Sequence, residues 1–161
     1  MKSVNQALIS YIAIILIALF TLNACNKESP KQHATRVGVN NAFQAWIKAV
    51  NTAKGNTDSL LPLYQETAIV MPMFTQNILK TAIDRKAYFQ KFTAYKNLTV
   101  SPKSLIIQTY GDIAVTSGLL NFYYLNAHDK STSIDAQFSF VYKKTNGKWL
   151  IINQHVSVMS N

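Results

Sequence analysis

The chain has 161 residues, 48% of them hydrophobic, with 16 Lys and Arg against 7 Asp and Glu for a net charge of +9, and a single cysteine, Cys25. That length makes one domain of ordinary size with a real core, and one cysteine excludes a disulfide framework and a cysteine-rich metal cluster. Arg36 and Arg85 are the only arginines and the lysines are scattered, so the Arg forks and clustered charge of phosphate and base readout are missing and no nucleic acid partner is expected.

In chain order, Lys2 is followed by the uncharged apolar stretch 7–22 and then by Leu22-Asn23-Ala24-Cys25. A basic start, an apolar segment and a small residue before a cut describe a secretory signal. The alternative is an uncleaved membrane anchor, since the run approaches the roughly 17 to 25 residues that span a bilayer. Leu-Asn-Ala-Cys resembles the lipobox of bacterial lipoproteins, which implies cleavage before Cys25, lipid on its thiol and an acylated amino terminus. Such an anchor holds a domain on a membrane surface without a spanning helix. By the same resemblance, Asn26 in place of an Asp points to the outer membrane, facing the periplasm. The expected organisation is a signal at 1–24, a lipidated Cys and polar tether at 25–33, and a domain at 34–161.

Val39, Phe43, Trp46, Ile47 and Val50 follow the i, i+4, i+7, i+8, i+11 pattern of one helix face, which predicts a long amphipathic helix from 34 to 53, broken by Gly55-Asn56. Thr57-Asp58 suits the cap of a second, short helix through Leu60, Leu61 and Tyr64, and 68–71 reads as a strand ended by Pro72. Thr81 with Asp84 three residues on makes a box-like cap for a third helix reaching Tyr95, with Tyr88, Phe92 and Tyr95 at helical spacing. After Asn97 the period becomes two, over 98–100, 104–110, 113–125, 131–144 and 148–157. Gly111-Asp112, 126–130 and Asn146-Gly147 provide the turns, the last pair being the strongest short signal for a type I′ hairpin. Helices followed by a meander give an α+β fold, a curved antiparallel sheet wrapped around the long helix with two further helices. Both faces of 113–125 and 149–156 carry apolar residues, so the face away from the helices is covered either by a second subunit in a homodimer or by the sheet's own curl.

The order Trp46, Asp58 to Tyr64, Ala68-Ile69-Val70-Met71-Pro72, Tyr88-Phe89-Gln90-Lys91-Phe92, Ser117-Gly118, Phe138-Ser139-Phe140-Val141-Tyr142, Gly147-Lys148-Trp149 and His155-Val156-Ser157 resembles the SnoaL-like branch of the nuclear transport factor two-like superfamily. It is most similar to small bacterial proteins like the association domain of calmodulin-dependent protein kinase. The resemblance covers roughly 40–160 and implies a cone-shaped α+β barrel, an open apolar pocket and a dimer across the sheet. Two departures stand out. The family's His-His-Ser-Ser run is Gln154-His155-Val156-Ser157 here, and Gln137 stands where an Arg is common.

His155 is the best candidate for a general base, since an imidazole accepts a proton near neutral pH. It lies at even spacing from Trp149, which predicts one face for both. Asp135 could orient the imidazole, or be a solvated carboxylate. Arg85 could clamp an acid, or pair at the surface with Asp84 or Glu66; Tyr110 could offer its hydroxyl to a pocket or simply pack. The expected pocket comprises Trp46, Tyr64, Phe89, Gln137, Tyr142, Trp149 and His155. His33, His128 and His155 are too far apart for a zinc site, and no glycine-rich phosphate loop or G-x-S-x-G occurs, so no metal and no cofactor are expected. Two functions remain open. One is a lipid-anchored binding or dimeric interaction module whose pocket takes a small apolar or amphipathic ligand; the other is a cofactor-free isomerase, cyclase or hydratase that uses His155 as base.

Overall fold

The first helix, α1, spans Pro30–Ala53, with Ser29 Oγ accepting from Gln32 N at 3.2 Å and Pro30 in the first turn, where its missing N–H is not needed. The structure, a computed structural model, describes residues 29–159; the expected signal, the lipobox and the first part of the tether lie outside them. Residues 34–161 form one compact unit. The face read from the sequence is the buried one, with Val39, Phe43, Trp46, Ile47 and Val50 all in the core.

The second helix is a single 3-10 turn, Leu61–Leu63. It ends where Tyr64 turns to extended backbone, φ −108° and ψ 147°, so that Tyr64, expected inside it, instead opens strand β1, Tyr64–Met71. Helix α2 covers Ala82–Phe92, three residues short of Tyr95. Its capping box is complete, with Thr81 Oγ1 and the Asp84 carboxylate each accepting the other's backbone N–H. Strands β2 (Lys96–Tyr110), β3 (Ile113–Leu125), β4 (Ser131–Thr145) and β5 (Lys148–Val158) form the meander. Asn146 and Gly147 both have positive φ, 50° and 79°, as a type I′ turn demands.

The sheet order is β1-β5-β4-β3-β2. The meander is antiparallel throughout, and β1 adds an edge strand parallel to β5, a non-local pairing that periodicity cannot show. Pro102 sits in β2, where an edge strand tolerates its missing donor, and the register shifts beside it. At Gly118 of β3 a Cβ would lie 2.1 Å from the Ser104 carbonyl oxygen, so glycine is what lets β2 cross β3 this closely. The far end of β2 is tied to α1 by Asn51, whose amide donates to Val100 O at 3.0 Å and accepts from Val100 N at 2.7 Å.

Cross-strand partners share a face, so the register sorts every strand residue. Facing the helices are Ala114, Thr116, Leu120 and Phe122 of β3, Phe138, Phe140 and Tyr142 of β4, and Ile151, Gln154 and Val156 of β5, all buried. Phe43 stacks on Phe138 with centroids 5.2 Å apart, and Trp46 meets Phe140 edge-on at 4.9 Å. Gly38 gives α1 the clearance for Trp149, since a Cβ there would lie 3.0 Å from the indole nitrogen. Every core side chain among the described residues falls within 34–161, so this unit carries its own core and can fold by itself.

Candidate functional site

The seven residues expected to line one pocket are divided between the two faces of the sheet. The pairing of β4 with β5 shifts between Tyr142↔Ile151 and Val141↔Asn153, which leaves Ile152 as an extra, unpaired residue. One extra residue reverses the alternation of everything after it. Trp149 therefore faces the core, whereas His155 lies exposed on the outer face, opposite Ser139 of β4 and Met71 of β1. The expectation that Trp149 and His155 share a face is corrected by that bulge. Gln137 is also outside, between Leu119 and Ser157.

Asp135 does not orient the imidazole. Its carboxylate accepts from Lys103 Nζ at 2.6 Å and Asn121 Nδ2 at 2.8 Å, and these bonds, the Lys103 one foremost, hold its carboxyl below the usual range. It stands four residues along β4 from Ser139, the partner of His155. Tyr110 is on the outer face too and is 61% exposed.

Trp46, Tyr64 and Phe89 do meet inside, joined by a residue the pocket reading left out. Trp46 Nε1 donates to the Tyr64 hydroxyl at 2.7 Å, and that hydroxyl donates to Gln154 Oε1. Gln154 is 2% exposed. Burial pushes the Tyr64 hydroxyl well above its ordinary pKa, with the Trp46 bond acting the other way, so the relay is neutral. The parity that hides His155 outside places Gln154 inside. The space beside this relay, bounded by Trp46, Tyr88, Phe89, Phe92, Phe122 and Gln154 among others, amounts to about 10 Å³, which is the volume for about one water. Tyr142 is fully inside; among the described residues its hydroxyl and that of Thr116 have no polar neighbour beyond each other, and burial raises the Tyr142 pKa far above normal with Thr116 acting the other way.

Arg85 takes neither of its expected roles. It is 2% exposed and donates to the carbonyls of Ala68 (2.6 Å), Glu66 (2.7 Å) and Gln65 (3.1 Å). These carbonyls lie in the part of β1 where its register with β5 is irregular, between Tyr64 and Ile69. The guanidinium fork thus stands in for ladder partners and docks α2 on β1. A signal for this exists in the sequence, because Arg85, Phe89 and Phe92 are spaced i, i+4, i+7 and form the buried face of α2.

Two surface features complete the picture. On the outer face of the sheet, Ile106, Tyr110, Ile113, Val115, Leu119, Val141 and Leu150 are exposed or half-buried, around a floor of Ser117 and Ser139. An open groove of about 620 Å³ runs between the 74–79 loop and α2, and the same loop borders His155 and Ser157 on its other flank.

A curved sheet that folds over a long helix is the architecture of the nuclear transport factor 2-like proteins. Within that class the chain belongs to the calcium/calmodulin dependent protein kinase II association domain family, whose model matches residues 35–160. A solved structure from Xanthomonas campestris, named for that association domain, is 25% identical, with a TM-score of 0.69 over 83% of this chain and 91% of its own. The association domain of C. elegans CaMKII matches with a TM-score of 0.63 at 15% identity, covering 80% of this chain and 99% of that one. A Streptomyces avermitilis protein of the NTF2-like family, named as a candidate dehydratase, has a TM-score of 0.66 at 14% identity over 77% and 95%. No curated protein matches the chain in sequence.

Proposed function

We propose that this chain is a lipid-anchored protein of the bacterial cell envelope whose domain is a homotypic association module, pairing with a second copy across the outer face of the sheet. The observation that carries this is the outer face itself. Ile106 and Tyr110, 62% and 61% exposed, share it with Val115, Leu119, Val141 and Leu150, interleaved with Gln108, Gln137, Lys143 and Asn153, and an apolar patch set among polar residues marks a contact surface. The same residues on both copies make a self-complementary interface. The association domains among the relatives fit this reading by name. The anchor rests on Leu22-Asn23-Ala24-Cys25, with outer-membrane placement following from Asn26.

The enzyme alternative draws little support from the geometry. Among the described residues His155 lines an open surface pocket of about 310 Å³ in which no Asp or Glu takes part, and the neighbouring position that faces the interior is Gln154, which exchanges no proton. An interior ligand meets the same obstacle in the volume of about 10 Å³.

The test is the mass in solution of residues 29–161 by light scattering. The wild-type domain runs at twice the chain mass, and Val141→Lys, which puts a charge into the apolar part of the face on both copies, runs as monomer with its melting temperature retained. A wild-type monomer at high micromolar concentration refutes the pairing. The anchor is tested separately, since labelling with radioactive palmitate disappears in Cys25→Ser if the lipobox reading is right and persists if it is not.

A further inference from the structure

The groove at the mouth of the fold is built by a loop that is held firmly at both ends. Beyond Met71 the chain turns out and returns to pair again with β1, Val70 and Leu79 exchanging backbone hydrogen bonds of 3.0 and 2.9 Å. Tyr88 Oη donates to Met73 O at 3.1 Å, fixing the loop against α2. Between these ties Phe74 has φ of +65°, a conformation that costs a bulky residue energy, and it is 50% exposed. An aromatic ring held on the surface by strained backbone gives up burial that a relaxed loop would regain. That cost has an explanation if the ring has something to contact.

The opposite wall is aromatic as well. Tyr88 and Phe92 of α2 are stacked, 5.6 Å apart with an interplanar angle of 10°, and Tyr95 extends the wall to Tyr124. Ile78 and Leu79 close the loop side. The Tyr88 hydroxyl is already used on Met73, and Thr75 and Asn77 add polar groups on the loop side, so the lining is mixed: flat aromatic surface on one wall and hydrogen-bonding groups beside it, in a volume of about 620 Å³ that is usual for a small-molecule site. Two charged groups stand on the rim, Asp84 and Lys91. Asp84 is committed to the helix cap, where the Thr81 hydroxyl keeps its carboxyl ionised to unusually low pH. Lys91 is exposed in the last turn of α2. Seven helical residues separate the two by roughly 10 Å, enough for an anionic head to approach Lys91 while remaining clear of Asp84.

We propose that this groove binds a long-chain amphipathic carboxylate of the fatty-acid class, with its carboxylate at Lys91 and its chain along Phe74, Ile78, Tyr88, Phe92 and Tyr95. None of these contacts is among the residues of the proposed pairing, although Phe74 and Ile78 also border His155 at the edge of the sheet face.

Titration of residues 29–161 with the fluorescent fatty acid cis-parinaric acid, followed by displacement with oleate and with oleyl alcohol, tests it. Saturable binding is expected, with oleate the better competitor. Lys91→Gln weakens oleate about fivefold, the value of one partly exposed ion pair, and leaves oleyl alcohol unchanged. Phe74→Gly, which relieves the positive φ, weakens both ligands while the melting temperature holds or rises. Ile78→Ser, at a half-exposed position, repeats the comparison if that variant melts early. Absence of saturable binding overturns the proposal, as does an oleate affinity that is indifferent to Lys91 and Phe74. Loss of binding in Val141→Lys with the groove variants unaffected would move the site to the sheet face and overturn it equally.

Discussion

Gly118→Ala tests the geometry that lets the sheet present two different faces. A Cβ at this position falls 2.1 Å from Ser104 O, 2.8 Å from Ser104 C and 3.2 Å from Phe138 Cε1, whereas a carbon and a carbonyl oxygen approach to about 3.3 Å. More than about 1 Å must therefore be found. Phe138 cannot supply it, being stacked on Phe43, so β2 must move away from β3 where Leu105 pairs with Gly118. Two strained or broken ladder bonds cost about 2 kcal/mol net, and the loosened packing around Phe138 adds about 1 kcal/mol or more. The reduced freedom of the unfolded chain returns about 0.5 to 1 kcal/mol. The net expectation is a loss of about 2 to 3 kcal/mol, read as a lower urea midpoint with unchanged m-value by tryptophan fluorescence. Gly147→Ala is the control: its φ is +79° but nothing lies within 4 Å of the added methyl, so it loses only about 1 to 2 kcal/mol for the left-handed backbone. A Gly118→Ala midpoint at or above the wild-type value, or a smaller loss than Gly147→Ala, would show that β2 does not approach β3 as described.

Arg85→Met should cost about 3 kcal/mol, because it leaves the carbonyls of Gln65, Glu66 and Ala68 without their donor; a thermal midpoint within a degree of wild type would refute the docking role. Burial raises the pKa values of Tyr64, Tyr88 and Tyr142, so the stability they contribute is complete below the ordinary tyrosine pKa of about 10 and declines as pH rises through their higher folded values. Asp84 and Asp135 are lowered, so theirs is complete above about pH 4 and declines as pH falls through the folded values; urea midpoints from pH 2 to 11 check both limbs. Tyr142→Phe removes a buried hydroxyl whose one polar neighbour is the Thr116 hydroxyl, so it should shift the midpoint by no more than about 1 kcal/mol while softening the alkaline decline; a larger loss would mean that the two hydroxyls form a well-made hydrogen bond. Gln154→His puts a titratable group against the Tyr64 hydroxyl, and its imidazole should titrate below about 6.5 by NMR because burial disfavours the cation; an ordinary value would show that the position is wet.

What the sequence made legible is what short-range chemistry decides. Asn146-Gly147 fixes its turn through two positive φ values, Thr81 and Asp84 close a cap three residues apart, and the apolar stripe from Val39 to Val50 selects the buried side of α1. Each signal sits within a few residues of its consequence. The elements that escaped depend on partners far along the chain or on patterns that carry no contrast. β1 joins β5 across more than eighty residues, so nothing local marks it as parallel. The bulge at Ile152 falls in a strand that is apolar on both faces, where a missing beat in the alternation leaves no trace. Arg85 reads as a surface residue by type, and only its spacing from Phe89 and Phe92 betrays the buried face. The filled interior is a sum over side chains from α1, α2, β3 and β5 that no single segment announces.

The bulge decides more than the address of one histidine. In the run Gln154-His155-Val156-Ser157, the residues at 154 and 156 face the interior and those at 155 and 157 face out. The first position of the His-His-Ser-Ser run in the family it resembles thus corresponds here to the inward side chain, and this chain has a glutamine there. Gln154 accepts from Tyr64, which in turn accepts from Trp46, so the interior holds a neutral relay at ordinary pH, with a space of about 10 Å³ beside it. The histidine that remains lies beside Ser139 and Met71 on the sheet face. An interior imidazole in this run would need a histidine at position 154, and the one histidine of the run instead stands on the side of the sheet where the proposed pairing of two copies takes place.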